Sequence, residues 1–155
     1  MGKKKTNPKI SFQPQEKIKT TDITTANKKI AFSYEYIDLN NSKYSFEGMD
    51  NKQIIRFHND FHKKVCEYCQ KKDFKKSLSE KLWKSHNHIH PIDWSDKQIS
   101  EAKFTSLDPK LMEQVKDECW QLGINNNGFR IHGFFIENIF YIVWLDPLHN
   151  LYHTK

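Results

Sequence analysis

Apolar positions recur along this chain in two different periods, and the order of the changeovers defines the fold. Between Ile30 and Tyr36 they alternate, with Ile30, Phe32, Tyr34 and Tyr36 on one face and Ala31, Ser33 and Glu35 on the other, the pattern of a half-buried strand. Asn40, Asn41 and Ser42 supply a turn, after which Tyr44–Phe46 can pair back. Asp50 suits an N-cap, and Ile54, Phe57, Phe61, Val65 and Tyr68 follow at three- and four-residue spacing, predicting an amphipathic helix over 51–71. Phe74, Leu78 and Leu82 predict a second helix over 74–84, with lysines on its wet side. The period breaks from His86 to Trp94, and Ser95 or Asp96 can cap a short helix running to Phe104. Asp108 before Pro109 is a cap followed by proline at the first helical position; Leu111, Met112, Val115, Cys119 and Leu122 form that helix's stripe, and Gly123 ends it. Phe129–Ile136 and Ile139–Leu145 then read as strands joined by the two-residue connection Glu137–Asn138, with Pro147 as the stop. Such a connection pairs Ile136 with Ile139, Phe134 with Tyr141 and His132 with Val143.

Helices before a closing hairpin, with one more strand near the start, predict an α+β fold: an antiparallel sheet, two to three helices packed on one face, and a C-terminal β-hairpin. The chain's 155 residues suit one domain, placed at 29–155. Residues 1–28 are rich in Lys and Thr, contain Pro8 and Pro14, and read as a basic N-terminal arm. The apolar fraction is only 37%, but 14% of residues are aromatic, and rings bury enough area each to make a core. The longest apolar run, Ile139–Leu145, fits a strand and falls far short of a membrane span. Three cysteines are too few and odd in number for a disulfide framework, and the N-terminus lacks the apolar core of a secretory signal. The expectation is a cytoplasmic protein with free thiols and no membrane partner.

The net charge of +6 is local rather than global. Residues 1–30 hold eight lysines against Glu16 and Asp22, which is the whole excess; 63–84 hold eight more against Glu67, Asp73 and Glu80, and the last third is acidic. Clusters of this kind attract polyanions such as RNA. Lys71, Lys72, Lys75 and Lys76 are the candidate RNA contacts on the basic helical segment.

Metal chemistry has two starting points. Cys66 and Cys69 precede His86, His88 and His90, but the cysteines fall inside the helical period and their spacing matches no strong zinc pattern. His58 and His62 lie one turn apart, with Asn59 where a metalloprotease carries its glutamate. No phosphate-cradling loop, dinucleotide fingerprint or nucleophile elbow occurs, so neither a metal nor a cofactor is expected.

The hairpin is richer. Alternation places Arg130, His132, Phe134 and Ile136 on one face, with Tyr141 across from Phe134. Arg130 is the last of only two arginines, and Asp146, His149, Tyr152 and His153 follow the second strand. A guanidinium can grip a phosphate, an imidazole can move a proton near neutral pH, and a phenol such as Tyr141 or Tyr152 can donate a hydrogen bond or stack on a base. Those groups suffice to cleave RNA without a metal.

The segment R-I-H-G-F-F-I-E-N-I-F-Y-I-V-W-L-D-P-L-H-N-L-Y, Arg130 to Tyr152, resembles the closing segment of RelE/YoeB-type toxins, within a stretch of similarity covering 108–152. The resemblance implies an endoribonuclease that cuts mRNA on the ribosome and is neutralised by an antitoxin protein. It also implies that Arg130 binds phosphate, His149 takes the place of the late basic or general-acid residue, and Tyr152 stacks on the substrate base. His132 completes the candidate catalytic set. The alternative is a non-catalytic protein- or RNA-binding accessory module of a defence or mobile-element system. A nuclease should gather Arg130, His149 and Tyr152 within a few ångströms on an open concave surface, whereas a binding module should point them apart or bury Tyr152.

Overall fold

The computed structural model describes residues 29–152; the basic arm and His153 lie outside the described residues. The elements are β1 (Ala31–Ser33), α1 (Asn51–Gln70), α2 (Phe74–Ser77), α3 (Lys81–His86), β2 (His90–Pro91), α4 (Pro109–Val115), β3 (Cys119–Gly123), β4 (Arg130–Ile136) and β5 (Ile139–Asp146), with 3-10 turns at Ser42–Tyr44 and Lys116–Glu118. They form an α+β fold on one five-stranded sheet in the order β1-β5-β4-β3-β2. Every pairing is antiparallel except that of β1 with β5, which is parallel. The chain therefore closes on a β4–β5 hairpin, and its first strand reaches the far edge beside its last.

Each face of the sheet carries a layer. Asp50 starts α1 through a capping box with Gln53, and the apolar stripe Phe57, Phe61 and Tyr68 is buried against Ile131, Phe135, Phe140 and Ile142. Each such ring or aliphatic side chain contributes about 1.5–3 kcal/mol when fully buried. Phe74 of α2 and Trp83 of α3 join the same layer, edge to face at 5.2 Å. On the opposite face Tyr44, Phe104, Met112 and Leu151 pack on Phe134, Val143 and Trp144, with Tyr44 flat on Trp144 at 4.2 Å.

Several local expectations change. The helix predicted to run from Pro109 to Leu122 ends at Val115, and Cys119–Gly123 is the strand β3. Cys119 packs on one face while Trp120 and Leu122 pack on the other, a period of two that the three-residue spacing from Cys119 to Leu122 had disguised. The helix over 74–84 splits into α2 and α3, because Trp83 rather than Leu82 takes the seat beside Phe74; Leu82 is 86% exposed. No helix forms from Ser95 to Phe104. There Asp93 accepts from Ser95 N and Asp96 from Gln98 N, both at 2.9 Å, side-chain turns that compete with a helical start. Tyr44–Phe46 does not pair back, since Asn41 caps a 3-10 turn that delivers Tyr44 to the core. The strand from Ile30 to Tyr36 shrinks to Ala31–Ser33, where Ser33 Oγ accepts from Glu35 N and turns the chain, sending Tyr36 to the second face.

The hairpin register holds at Ile136–Ile139 and Phe134–Tyr141, then shifts. Gly133 faces Ile142, but His132 faces Trp144 instead of Val143. Val143 is the extra residue of a β-bulge, and its carbonyl accepts from Asp38 N at 2.8 Å. A side chain at Gly133 would overlap the Tyr141 carbonyl oxygen, so the close approach requires glycine. The consequence for the site is that Arg130 sits opposite Asp146.

Candidate functional site

Beneath the site lies a pair of groups with no solvent exposure. His132 Nε2 is 3.0 Å from Asp146 Oδ2, and Asp146 also accepts from Asn150 N at 2.7 Å and Leu151 N at 3.1 Å. One carboxylate thus ties β4 to the segment that follows β5. Burial alone would raise the Asp146 carboxyl, but the His132 imidazole and the two backbone N–H groups outweigh it and hold it below the ordinary carboxylate range. The tethered segment carries His149, whose φ of 58° lies in the left-handed region, and then Tyr152, whose backbone bridges to Ile99.

Above this anchor an open cleft of about 690 Å³ lies between α3 and the 147–152 segment. Arg130, His149 and Tyr152 all line it, so three of the four expected catalytic residues converge. His90 and Gln121 share it, and Lys81, Lys84 and His88 stand around it; no Asp or Glu contributes to the lining. Arg130 is only 5% exposed. Its Nη1 donates to Asn125 O at 2.7 Å and Phe129 O at 2.9 Å, while its Nε is buried without a partner. Among the described residues no carboxylate forms an ion pair with it. A fixed guanidinium that no carboxylate pairs with, lining a groove without acids, has the chemistry to hold an anion.

His90 was not foreseen as part of this group. It lies on β2 directly across from Gln121 of β3. Its Nδ1 is 3.0 Å from Pro91 O, which can only accept, so Nδ1 carries the proton; Nε2 then accepts from Gln121 Nε2 at 2.9 Å. Tyr152 OH lies 3.4 Å from the protonated Nδ1, which leaves its own hydrogen for another acceptor. The rings of His90 and Tyr152 meet edge to face at 5.1 Å. With both nitrogens engaged, His90 positions Tyr152, whereas the His149 ring, beside Tyr152 at 6.1 Å, is open to exchange a proton. Burial, then the charge of Arg130, hold His149 below the usual histidine value; burial does the same to His90. Burial pushes the Tyr152 phenol up, so it stays protonated.

Other expected contacts fall elsewhere. His132 is sealed beneath the cleft rather than lining it, because the bulge sets it opposite Trp144 and beside Asp146. Tyr141 stacks on Phe134 at 5.3 Å and packs with Tyr36, away from the cleft lining. Lys71 lies over the Trp83 ring at 4.8 Å, and Lys75 lies over Phe135 at 4.3 Å and pairs with Glu118 at 3.6 Å. Neither these two nor Lys72 and Lys76 line the cleft; the lysines that do are Lys81 and Lys84. Cys66 is exposed, Cys69 half-buried, and His90 is committed to the cleft. Among the described residues no three or more His, Cys, Asp and Glu side chains group as a metal site. No helix there is long and apolar enough to cross a membrane.

No curated protein and no solved structure matches the chain. A family model matches residues 32–155, from β1 through the tethered segment and Tyr152. The chain belongs to the family that this model describes as Uncharacterised protein UU032.

Proposed function

We propose that the chain is a metal-independent endoribonuclease of the type its C-terminal segment resembles, acting on a phosphodiester held in the cleft. The observation that carries this reading is the convergence of Arg130, His149 and Tyr152 in one open groove lined by cations and imidazoles and by no carboxylate. Such a lining favours phosphate over neutral or cationic ligands. His149, uncharged near neutral pH, takes the proton of a 2′-hydroxyl as O2′ bonds to phosphorus. Arg130 offsets the charge that builds on the phosphoryl oxygens. The P–O5′ bond breaks and Tyr152 donates its hydrogen to the departing O5′. The phenolate recovers that proton from the His149 imidazolium through solvent, leaving a 2′,3′-cyclic phosphate and a 5′-hydroxyl. The message on a cytoplasmic ribosome is the substrate, and a protein that covers the groove would act as the antitoxin.

The test incubates the full chain in EDTA with labelled single-stranded RNA, both free and as mRNA on translating ribosomes. Cleavage to cyclic-phosphate ends is expected, slowed about 10²-fold or more by His149→Asn, a residue that tolerates the left-handed backbone there. Intact RNA in both settings, or equal cleavage by the variant, would overturn the nuclease. One observation favours a binding-only groove, an accessory module that holds RNA or a protein without cutting: Arg130 spends Nη1 on two backbone carbonyls. That reading expects RNA or protein binding with no product.

A further inference from the structure

The chain's only two arginines line two different cavities, and His149 is a wall of both. Arg130 lies in the cleft. Arg56 lies in a second cavity of about 450 Å³, bounded by the start of α1, the loop joining β3 to β4 and the segment after β5. Met49, Phe129, Pro147 and Leu148 give this cavity apolar walls. Gln53 and Asn127 are its neutral polar groups, and no Asp or Glu lines it.

The Arg56 guanidinium has little to hold it. Its side chain is 61% exposed, and among the described residues the one group paired with it is Asp60, Nε to Oδ2 at 3.9 Å. That same carboxylate oxygen already accepts from Asn125 Nδ2 at 2.7 Å. A long, exposed pair of this kind contributes little, so the guanidinium keeps its donors for an anion. Beside it Leu148 is 53% exposed, a large apolar side chain that the core does not cover. The cavity therefore sets a free cation next to an exposed apolar wall. A nucleotide of a single strand offers the matching surfaces, an anionic phosphate and the apolar faces of sugar and base.

We propose that this cavity holds a neighbouring nucleotide of the RNA strand whose phosphate lies on Arg130, with its own phosphate on Arg56 and its sugar and base against Leu148, Pro147 and Met49. The substrate class is then a continuous single strand that passes His149 and occupies both cavities, rather than a mononucleotide filling the cleft alone. The two cavities are joined at that residue. Gly128, at φ 98°, brings the loop so near that a Cβ there would lie 3.7 Å from the His149 Cβ. Phe129 lines the second cavity while its carbonyl accepts from Arg130 Nη1 at 2.9 Å. Leu148 lines the second cavity and the next residue, His149, lines both, so a strand held on either side runs past the imidazole.

The inference rests on the reading of the cleft as a phosphodiester site, and the experiment separates the two. The full chain is titrated with two ligands that cannot be cut, a 2′-O-methyl octanucleotide and a 2′-O-methyl dinucleoside monophosphate. Dissociation constants are read by NMR at several salt concentrations. Arg56→Gln should weaken the octanucleotide roughly fivefold and lower its log–log salt slope by about 0.7, the share of one phosphate on a single strand. Leu148→Ser should weaken it without changing that slope. Neither variant should alter binding of the dinucleoside, which carries one phosphate and fits the cleft alone. Both side chains are exposed, so the variants should unfold as wild type does. Wild-type affinity and slope for the octanucleotide in Arg56→Gln overturn the second subsite and leave the phosphate cleft standing. Equal weakening of both ligands assigns the effect of Arg56 to the Asp60–Asn125 contact behind Arg130, and overturns the second subsite too. No binding of either ligand by wild type overturns both readings.

Discussion

Replacing Asp146 by asparagine removes a charge and one acceptor while preserving shape, and so measures what holds the segment carrying His149 and Tyr152 in place. The carboxylate has no solvent exposure and accepts three hydrogen bonds, from His132 Nε2, Asn150 N and Leu151 N. An asparagine keeps one oxygen for Asn150 N. Its amino group then faces His132, which must shift its proton to Nδ1, an atom with no partner in the core. Leu151 N–H loses its acceptor. One buried N–H left unsatisfied costs about 1–3 kcal/mol, and charge-assisted bonds are worth about 1.5–3 kcal/mol. The expected loss is about 2–4 kcal/mol, a large share of the 5–15 kcal/mol typical of a domain. Urea unfolding at pH 7 measures it, and hydrogen exchange at the Asn150 and Leu151 amides should quicken. Because Asp146 is held below its unfolded value, its stabilisation is present above about pH 3.9 and is lost as pH falls through the depressed folded value. The gap between wild type and variant should therefore narrow below about pH 4. A variant within about 0.5 kcal/mol of wild type at pH 7, the range of an ordinary surface substitution, would refute the anchoring argument, as would a gap that persists unchanged into acid.

Two further outcomes follow from the same geometry. Gly133→Ala drives a methyl into the Tyr141 carbonyl and to 3.0 Å from the Phe140 ring; thermal unfolding should report a loss of about 3 kcal/mol or more. The His149 ring should titrate below the unperturbed value of about 6.5 in NMR, since burial and Arg130 disfavour its charge, and RNA in the cleft should raise that midpoint. A folded value lowered in this way gives stability that is full above about pH 6.5 and declines as pH falls toward the folded midpoint.

The parts of the fold legible in the sequence are those where one face of a regular element meets the core. The stripe Phe57, Phe61, Tyr68 behind the Asp50 cap gave α1 within a residue at either end. The alternating run before Glu137–Asn138 gave the hairpin, and Glu137 adopts the positive φ, 52°, that such a connection needs. Elements failed where two periods fit the same residues. Met112, Val115, Cys119 and Leu122 satisfy a helical stripe, yet only the first two are helical, because β4 requires an antiparallel neighbour and Cys119–Gly123 supplies it. His90 entered the sequence reading only as a possible metal ligand, because its place in the cleft depends on the β2–β3 register. The signal available was the polar pair His88 and His90 beside a proline, which read as a loop.

The bulge at Val143 shows why the candidate site was only half visible. In strict alternation His132 opposes Val143 and shares an open face with Arg130. One inserted residue moves every later pairing by one, sets Arg130 across from Asp146, and brings that carboxylate onto His132. The pair must then be buried together, since an unpaired charge in the core would cost several kcal/mol. With Asp146 fixed there, its two backbone acceptances fold the following segment back over the sheet, and only then do His149 and Tyr152 reach the cleft occupied by Arg130. Residue types could nominate Arg130, His149 and Tyr152. Their meeting place depends on a glycine close approach and a bulge, and alternation along a single strand carries no record of either. The division of labour follows: His132 and Asp146 act through position, and the three residues above them face the solvent-open groove.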